Sequence, residues 1–241
     1  MKVIAICTHK GGAGKTTTTH WIAHHLSRQH GKQVLLMDLD PQGNLSKLNG
    51  YAPPISGYTV ADVLRNREKI CKVARPGATN IQIAPADIRL EDARAALTGE
   101  ALGFNALSKA ISIIAPGMYD YILIDTPPAA DILVINALVA ADWVVTPASP
   151  EEHDIDGANR IGEMITWLRS ELGKAPQMAG TVATKVNGQT TKHRQNLDRL
   201  PGPRLGEIPL RQGLQADVDI GEAYRLTVDA LLATIEGGEH A

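Results

Sequence analysis

Nine residues near the start of the chain, His9-Lys10-Gly11-Gly12-Ala13-Gly14-Lys15-Thr16-Thr17, set glycines, lysines and hydroxyls in an order suited to gripping phosphate. Glycines let backbone N–H groups turn inward around phosphate oxygens, where side chains would obstruct the approach. Lys15 supplies a mobile ammonium for the β and γ phosphates of a nucleotide. Thr16 places a hydroxyl on Mg²⁺, and Thr17 reaches the α phosphate. The apolar run before the loop and the helical spacing after it give the strand–loop–helix context such a site needs, with the helix N-terminus aimed at the anion. Gly11, Gly12, Ala13 and Gly14 form the cradle itself.

The ordinary phosphate-loop pattern has glycine five positions before Gly14, where this chain has His9. A second lysine, Lys10, stands instead before Gly11-Gly12, which is the deviant Walker A form KGGxGK[ST]. A lysine there is awkwardly placed to serve its own nucleotide, and it could reach across a dimer interface to a partner's phosphates. Two acidic segments complete the constellation. Asp38 and Asp40 lie in Met37-Asp38-Leu39-Asp40-Pro41-Gln42-Gly43-Asn44, a turn that aims carboxylates at the loop. A carboxylate there orients the attacking water or holds Mg²⁺ through water. Asp125 ends the apolar run Tyr121-Ile122-Leu123-Ile124, the Walker B pattern that holds Mg²⁺, and Thr126-Pro127-Pro128 follows as a rigid loop near the γ phosphate. Either acidic segment alone reads as a capped turn or a strand end. Beside the loop, both read as chemistry.

The elements that must position these residues follow from short buried runs alternating with helical periods. Lys2–Cys7 reads as a strand, Lys15–His30 as a helix with Trp21, Ile22 and Leu26 on one face, and Gln33–Met37 as a second strand. That is a βαβ unit, which implies parallel strands with a right-handed crossover. Strands are predicted over Ile81–Ala84, Tyr121–Ile124, Trp143–Thr146, Met178–Thr184 and Glu207–Pro209. Helices are predicted over Arg89–Leu97, Asn105–Ile114, Ile132–Ala140, Ile155–Leu172 and Ile220–Ile235. The fold class is α/β, a doubly wound and mostly parallel sheet flanked by helices, on which ligands sit beyond the carboxyl ends of the strands. Ala52–Gly57 is linker-like but lies inside the pattern, so it reads as a surface loop. The 241 residues are expected to form one P-loop domain, with 236–241 as a frayed tail.

Composition narrows the function. The chain is 44% apolar and 21% charged, an ordinary soluble globule. Its aromatics amount to 4%, with Phe104 the single phenylalanine, which argues against a base-stacking surface. Two cysteines, Cys7 and Cys71, make neither a disulfide scaffold nor a metal spacing, and Cys7 reads as a small core residue. No run of about 18 apolar residues exists, so no membrane span and a cytoplasmic location are expected.

These blocks resemble the ParA family of deviant-Walker-A partition ATPases, in the wider ParA/MinD class. The resemblance rests on Lys10–Thr17, Asp38–Asn44 and Ile124–Pro128, with a weaker fourth block at Ile81–Leu90, and it runs from Met1 to about Tyr224. It implies a slow Mg²⁺-ATPase that forms an ATP-sandwich homodimer. Lys10 would be the signature lysine contacting ATP in trans and Lys15 the catalytic loop lysine. Thr16 would be the Mg²⁺ ligand and Asp40 the residue positioning water, with Asp38 and Asp125 near the metal. Pro209, closing the last strand, is placed among the nucleotide contacts. The ATP-bound dimer would bind DNA non-specifically, so the protein would be nucleoid-associated in that state, until a ParB-like or other cargo adaptor stimulates hydrolysis.

Net charge is −2, so any DNA surface must be local. Lys185, Lys192, Arg194, Arg199, Arg204 and Arg211 cluster against only Asp198 and Glu207. Lys185, Lys192, Arg194 and Arg211 are taken as the DNA-binding candidates, through backbone contacts without base specificity. A solvated basic face is the plainer alternative. A MinD-like membrane role needs a basic amphipathic C-terminal helix, whereas 227–236 is acidic. The iron protein of nitrogenase needs cluster cysteines that this chain does not place. A scaffold that binds ATP without hydrolysing it is opposed by the presence of Lys10, Lys15, Asp40 and Asp125 together. The cargo is open: plasmid, chromosome, carboxysome or chemosensory array. The loop begins within ten residues of Met1, so no helix-turn-helix extension and no operator-specific binding are expected.

Overall fold

Alternate residues of the first apolar run face opposite ways. In β1 (Lys2–Ile6), Val3 and Ala5 enter one hydrophobic cluster, while Ile4 and Ile6 enter another. A strand buried on both faces needs helices above and below it, which is why such strands read as continuous apolar runs. The structure, a computed structural model, describes residues 1–210 and 216–237. After β1 come α1 (Lys15–Arg28), β2 (Val34–Asp38), α2 (Asn44–Leu48), α3 (Val60–Leu64), α4 (Ile70–Val73), β3 (Arg75–Pro76), β4 (Ile81–Ala84) and α5 (Arg89–Thr98). A short 3₁₀ turn (Gly103–Asn105) leads to α6 (Ala106–Ser112), β5 (Tyr121–Asp125), α7 (Ile132–Ala140), β6 (Trp143–Ala148), α8 (Glu152–Leu172), β7 (Gln177–Val186), α9 (Thr191–Leu197), β8 (Arg204–Pro209) and α10 (Ala216–Gly237).

The eight strands form one sheet in the order β3-β4-β2-β5-β1-β6-β7-β8. Every neighbouring pair is parallel except β3 with β4. From β1 the chain crosses to β2, β3 and β4 on one side, returns to β5 between β2 and β1, and then runs outward through β6, β7 and β8 on the other, the doubly wound pattern, so β1 and the loop after it sit where the winding reverses. One face is covered by α1 and α10, where Ile22, Leu26, Tyr224 and Leu231 pack on Ile4, Leu36 and Leu123. The other is covered by α3, α5, α6, α7 and α8, with Leu64, Leu90, Leu107, Leu138 and Ile161 against Ala5, Leu35 and Ile124. Burying side chains of that size stabilises by roughly 1.5–3 kcal/mol each.

Several elements differ from the sequence expectation. The helices α2, α3 and α4 are one turn each, too short to show a helical period. β3 is two residues at the sheet edge, the position that tolerates its proline. α9 reads TKHRQNL, a polar stretch whose helix is held by Asn196 and Leu197 turning inward. α10 runs through Gly237, so residues 236 and 237 of the expected frayed tail are helical, and 238–241 lie outside the described residues. The Ala52–Gly57 loop is tied down by Arg89, whose guanidinium donates to the carbonyls of Ile55 and Gly57 at 2.9 Å each. No helix among the described residues is long and apolar enough to cross a membrane.

Candidate active site

The phosphate loop joins the buried end of β1 to the first turn of α1. Gly14 occupies the N-cap position in the left-handed region at φ +95°, and no side chain caps the helix or puts an acid in its first turn. The leading N–H groups of α1 are therefore left for an outside acceptor, and the positive end of the helix dipole faces the loop. A Cβ on Gly14 would stand 3.3 Å from the Thr184 methyl carbon, so both its dihedral and its contact require glycine. Lys15 is buried, and its ammonium donates to the Lys10 carbonyl at 3.0 Å and the Thr8 carbonyl at 3.4 Å. Burial pulls its pKa down, opposed chiefly by the negative charge of Asp125. Gly11 and Gly12 are exposed on the loop rim, and Ala13 is buried beneath it.

Two strand ends supply the acids. Asp38 and Asp125 are register partners on the adjacent strands β2 and β5, and neither is exposed to solvent. Thr16 donates its hydroxyl to Asp125 Oδ2 at 2.8 Å, and Thr19 donates to Oδ1 at 3.4 Å. Asp38 Oδ2 accepts from both the N–H and the hydroxyl of Ser46, at 2.8 and 2.7 Å, and Oδ1 accepts from the Asp40 N–H at 3.1 Å. Burial pushes Asp38 up to about 6, and burial with the neighbouring Asp38 charge pushes Asp125 well above the usual carboxylate range. A threonine hydroxyl against two buried, mutually repelling carboxylates is an oxygen donor set suited to a hard divalent cation, which would relieve the repulsion. Thr16 and Asp125 are the residues that would hold it. Asp38, expected from sequence as a direct metal or catalytic group, has both oxygens engaged by its own turn. These bonds fix that turn, and the Asp38 charge acts on Asp125.

The sign of this arrangement for stability is defined. Both carboxyls bind protons more tightly folded than unfolded, so folding takes up protons between pH 3.8 and about 6 for Asp38. Their contribution to stability falls as pH rises through that window and is least favourable above it. Asp125→Asn removes the repulsion while keeping the shape. With nucleotide and metal removed by EDTA at pH 7.5, that variant melts about 2–8 °C higher than wild type, read by calorimetry. A lower melting temperature contradicts the electrostatic account.

Asp40 sits half-buried on the same turn, its Oδ1 accepting from the Gln42 N–H at 2.9 Å and its negative charge felt by Lys15. Gly43 is required here: at φ +61° its Cβ would stand 2.7 Å from the Ala86 carbonyl oxygen. Ala86 in turn donates its N–H to Ser46 Oγ at 2.9 Å, the hydroxyl that holds Asp38. The fourth sequence block, Ile81–Leu90, thus acts as a brace under the acidic turn. After β5, Thr126 donates to the Ile6 carbonyl at 2.9 Å, and Pro128 lies against Gly11. Thr17 is exposed on the first helical turn, open to a ligand on the loop. Lys10 is exposed, and among the described residues its ammonium has no hydrogen-bond or ion-pair partner. Pro209 lines an open cavity of about 610 Å³ with Val186, Asn187, Gly188, Gln189, Glu207 and Leu210, at the carboxyl ends of β7 and β8.

Comparison with known proteins bears on this geometry. A family profile described as an AAA domain matches residues 1–178. The sporulation initiation inhibitor protein Soj of Bacillus subtilis is 32% identical over 190 residues, covering 78% of this chain and 74% of Soj. The chromosome partitioning protein ParA of Caulobacter vibrioides is 32% identical over 197 residues, covering 81% of this chain and 73% of that protein. The chain belongs to the ParA family of partition ATPases. Among solved structures, cobyrinic acid a,c-diamide synthase from Mycobacterium smegmatis, with a bound ATP analogue and magnesium, superposes with a TM-score of 0.87 at 30% identity. It covers 99% of this chain and 97% of that one. An ATP complex of McdA from Cyanothece gives a TM-score of 0.87 at 21% identity, covering 98% and 96%, a likeness of fold.

Against the DNA surface that the ParA resemblance suggested, the basic residues part company. Lys185 does not join the others: its ammonium donates to the Gly12 carbonyl at 2.6 Å, which puts it on the phosphate loop. Lys192 is paired with Glu151 at 3.5 Å, Arg199 with Glu152 at 2.7 Å, and Arg204 with Asp198 at 3.6 Å and Glu207 at 3.1 Å. Acids from the start of α8 and from the run's own neighbours therefore neutralise much of it. Arg194 donates to the Gly188 carbonyl and has no acidic partner among the described residues. Arg211 lies outside the described residues. Sequence reasoning missed Thr184, whose hydroxyl donates to the Ala13 carbonyl at 2.9 Å and clamps β7 to the loop. A lone threonine at a strand end carries no pattern that would reveal it. Cys7 is buried, with its thiol pushed up to about 12 by burial, as a core residue should be.

Proposed function

We propose that this chain is a slow Mg²⁺-dependent ATPase that dimerises around two ATP molecules. The ATP-bound dimer binds DNA without sequence preference and positions a cargo, and an adaptor protein on that cargo stimulates hydrolysis. The observation that supports the reading best is the Thr16–Asp125 hydrogen bond at 2.8 Å, which joins the phosphate loop to the acidic strand end. The partition relatives support the cargo-positioning part. Plasmid or chromosomal DNA is the cargo favoured, and the location is cytoplasmic, on the nucleoid when ATP is bound.

In this reading the loop N–H groups and Lys15 grip the β and γ phosphates. The Thr16 hydroxyl and Asp125 would hold Mg²⁺, which would neutralise phosphate charge. Asp40 orients the attacking water, from a turn that Asp38, Ser46 and Ala86 hold still. Pro209 borders the cavity that receives the nucleoside. Lys10, free on the rim, contacts the triphosphate of the partner copy. A site completed only by a second subunit turns over slowly alone, because a cation supplied in trans to developing phosphate charge is worth roughly 10³–10⁵ in rate. The γ phosphate then favours the dimer by its differential contacts, and hydrolysis releases it.

Phosphate release from purified chain, with and without duplex DNA and without any organic acid acceptor, tests the reading. Turnover indistinguishable from a Lys15→Ala variant would favour an ATP-binding scaffold. Turnover that required a carboxylic acid acceptor would favour a synthase of the kind named among the structural neighbours. Two expected outcomes belong here. Asp40→Ala retains ATP-dependent DNA binding but stops release, so the complex on immobilised DNA persists at least about tenfold longer than wild type; release at the wild-type rate contradicts the role of Asp40. Lys192→Glu with Arg194→Glu lowers DNA retention and flattens its salt dependence by about one log–log unit for each DNA phosphate no longer neutralised. Unchanged retention moves the DNA surface elsewhere.

A further inference from the structure

The site just described accounts for one cation of the phosphate loop in each subunit and borrows a second from the partner. A third lies within the same chain. Lys185, near the end of β7, adopts φ +53°, in the left-handed region. The other non-glycine residues there among those described are Asn66 and Asn80, and asparagine tolerates that conformation. In a lysine the same conformation is strained, so the surrounding structure holds it there. Thr184, the preceding residue, is clamped to the Ala13 carbonyl at 2.9 Å, and its side chain rests against Gly14. The left-handed turn at the next position sends the Lys185 side chain back over the loop, with Nζ on the Gly12 carbonyl at 2.6 Å. No acidic side chain pairs with it among the described residues.

The loop therefore carries an ammonium on each of two carbonyls, Lys15 on Lys10 and Lys185 on Gly12. A neutral carbonyl is a weaker partner for an ammonium than a phosphate oxygen is. Strained backbone at a site is a reason to look for function there. We infer that Lys185 contacts the phosphates of the nucleotide bound in its own subunit, leaving the Gly12 carbonyl when the anion seats on the loop. This rests on the reading that the loop binds ATP. It gives each site a cation of its own besides Lys15, and removes Lys185 from the DNA surface.

The test uses the full chain and the fluorescent nucleotides mant-ATP and mant-ADP. Lys185→Gln keeps a donor for Gly12 and removes the charge. It is expected to weaken both nucleotides about 10- to 100-fold, the worth of one charge-assisted hydrogen bond. Lys185→Arg is expected to recover most of that loss. The nucleotide-free melting temperature of Lys185→Gln stays at the wild-type value. Unchanged nucleotide affinity in Lys185→Gln overturns the inference, as does a fall in nucleotide-free melting temperature large enough to account for the loss, which would make Lys185 a structural latch. Normal nucleotide affinity with lost DNA retention also overturns it and returns Lys185 to the DNA surface. If the wild-type chain fails to bind mant-ATP, the nucleotide reading itself falls. If wild type binds, Lys15→Ala does not, and Lys185→Gln is normal, this inference alone falls.

Discussion

Lys15→Ala lowers phosphate release by about 10²–10³-fold, the cost of removing one preorganised donor from a site where charge develops. The expectation follows from position. The Lys15 ammonium is buried, held on two loop carbonyls, and set against the Asp125 charge, so it is fixed before the nucleotide arrives. Neither neighbouring lysine occupies its position: Lys10 is exposed on the loop rim, and Lys185 comes to the loop at Gly12. The variant also leaves Asp125 without the positive charge that opposes its elevated pKa. The buried carboxyls then repel without relief, and the nucleotide-free protein loses stability toward alkaline pH. Malachite-green phosphate release together with a pH series of melting curves reads both effects. Release above one tenth of the wild-type rate contradicts the assignment.

Lys10→Ala separates binding from assembly. Its ammonium has no hydrogen-bond or ion-pair partner among the described residues, so alanine costs the fold little, and within one subunit it costs the nucleotide little. ATP binding by the variant is therefore expected within about threefold of wild type, since among the described residues the ammonium forms no hydrogen bond or ion pair. The ATP-dependent dimer is expected to weaken by at least about tenfold, the low end for removing a charge-assisted hydrogen bond to phosphate from each of two sites. Sizing with light scattering, with and without a non-hydrolysable ATP analogue, distinguishes the two. A variant that dimerises as wild type does leaves Lys10 with no function across the interface.

The phosphate loop, the two acidic strand ends and the parallel sheet were legible in the sequence because each is written in local spacing. Glycines at Gly12 and Gly14, an apolar run ending in Asp125, and a turn holding Asp38 and Asp40 need no long-range knowledge. What the residues do to one another was not legible in the same way. That Ser46, which holds Asp38, is itself held by the Ala86 N–H 40 positions away depends on β2 and β4 lying side by side. The ion pairs within the basic run were hidden for the same reason. Counting charges along 185–211 gives a patch, but folding brings Glu151 and Glu152 to it from the start of α8, and turns Lys185 away toward the loop. One-turn helices and a two-residue edge strand escaped because a period cannot appear in fewer residues than it needs.

The account stands most directly on where Lys10 acts, and mixing two inactive variants measures it. Lys10→Ala chain keeps its own Lys15, and Lys15→Ala chain keeps its own Lys10, so a mixed dimer holds one site with both ammoniums only if Lys10 is donated across the interface. The account predicts that equimolar mixing restores phosphate release well above either variant alone, toward the one-quarter of wild type that random pairing allows. Release no higher than the mean of the separate variants would contradict it.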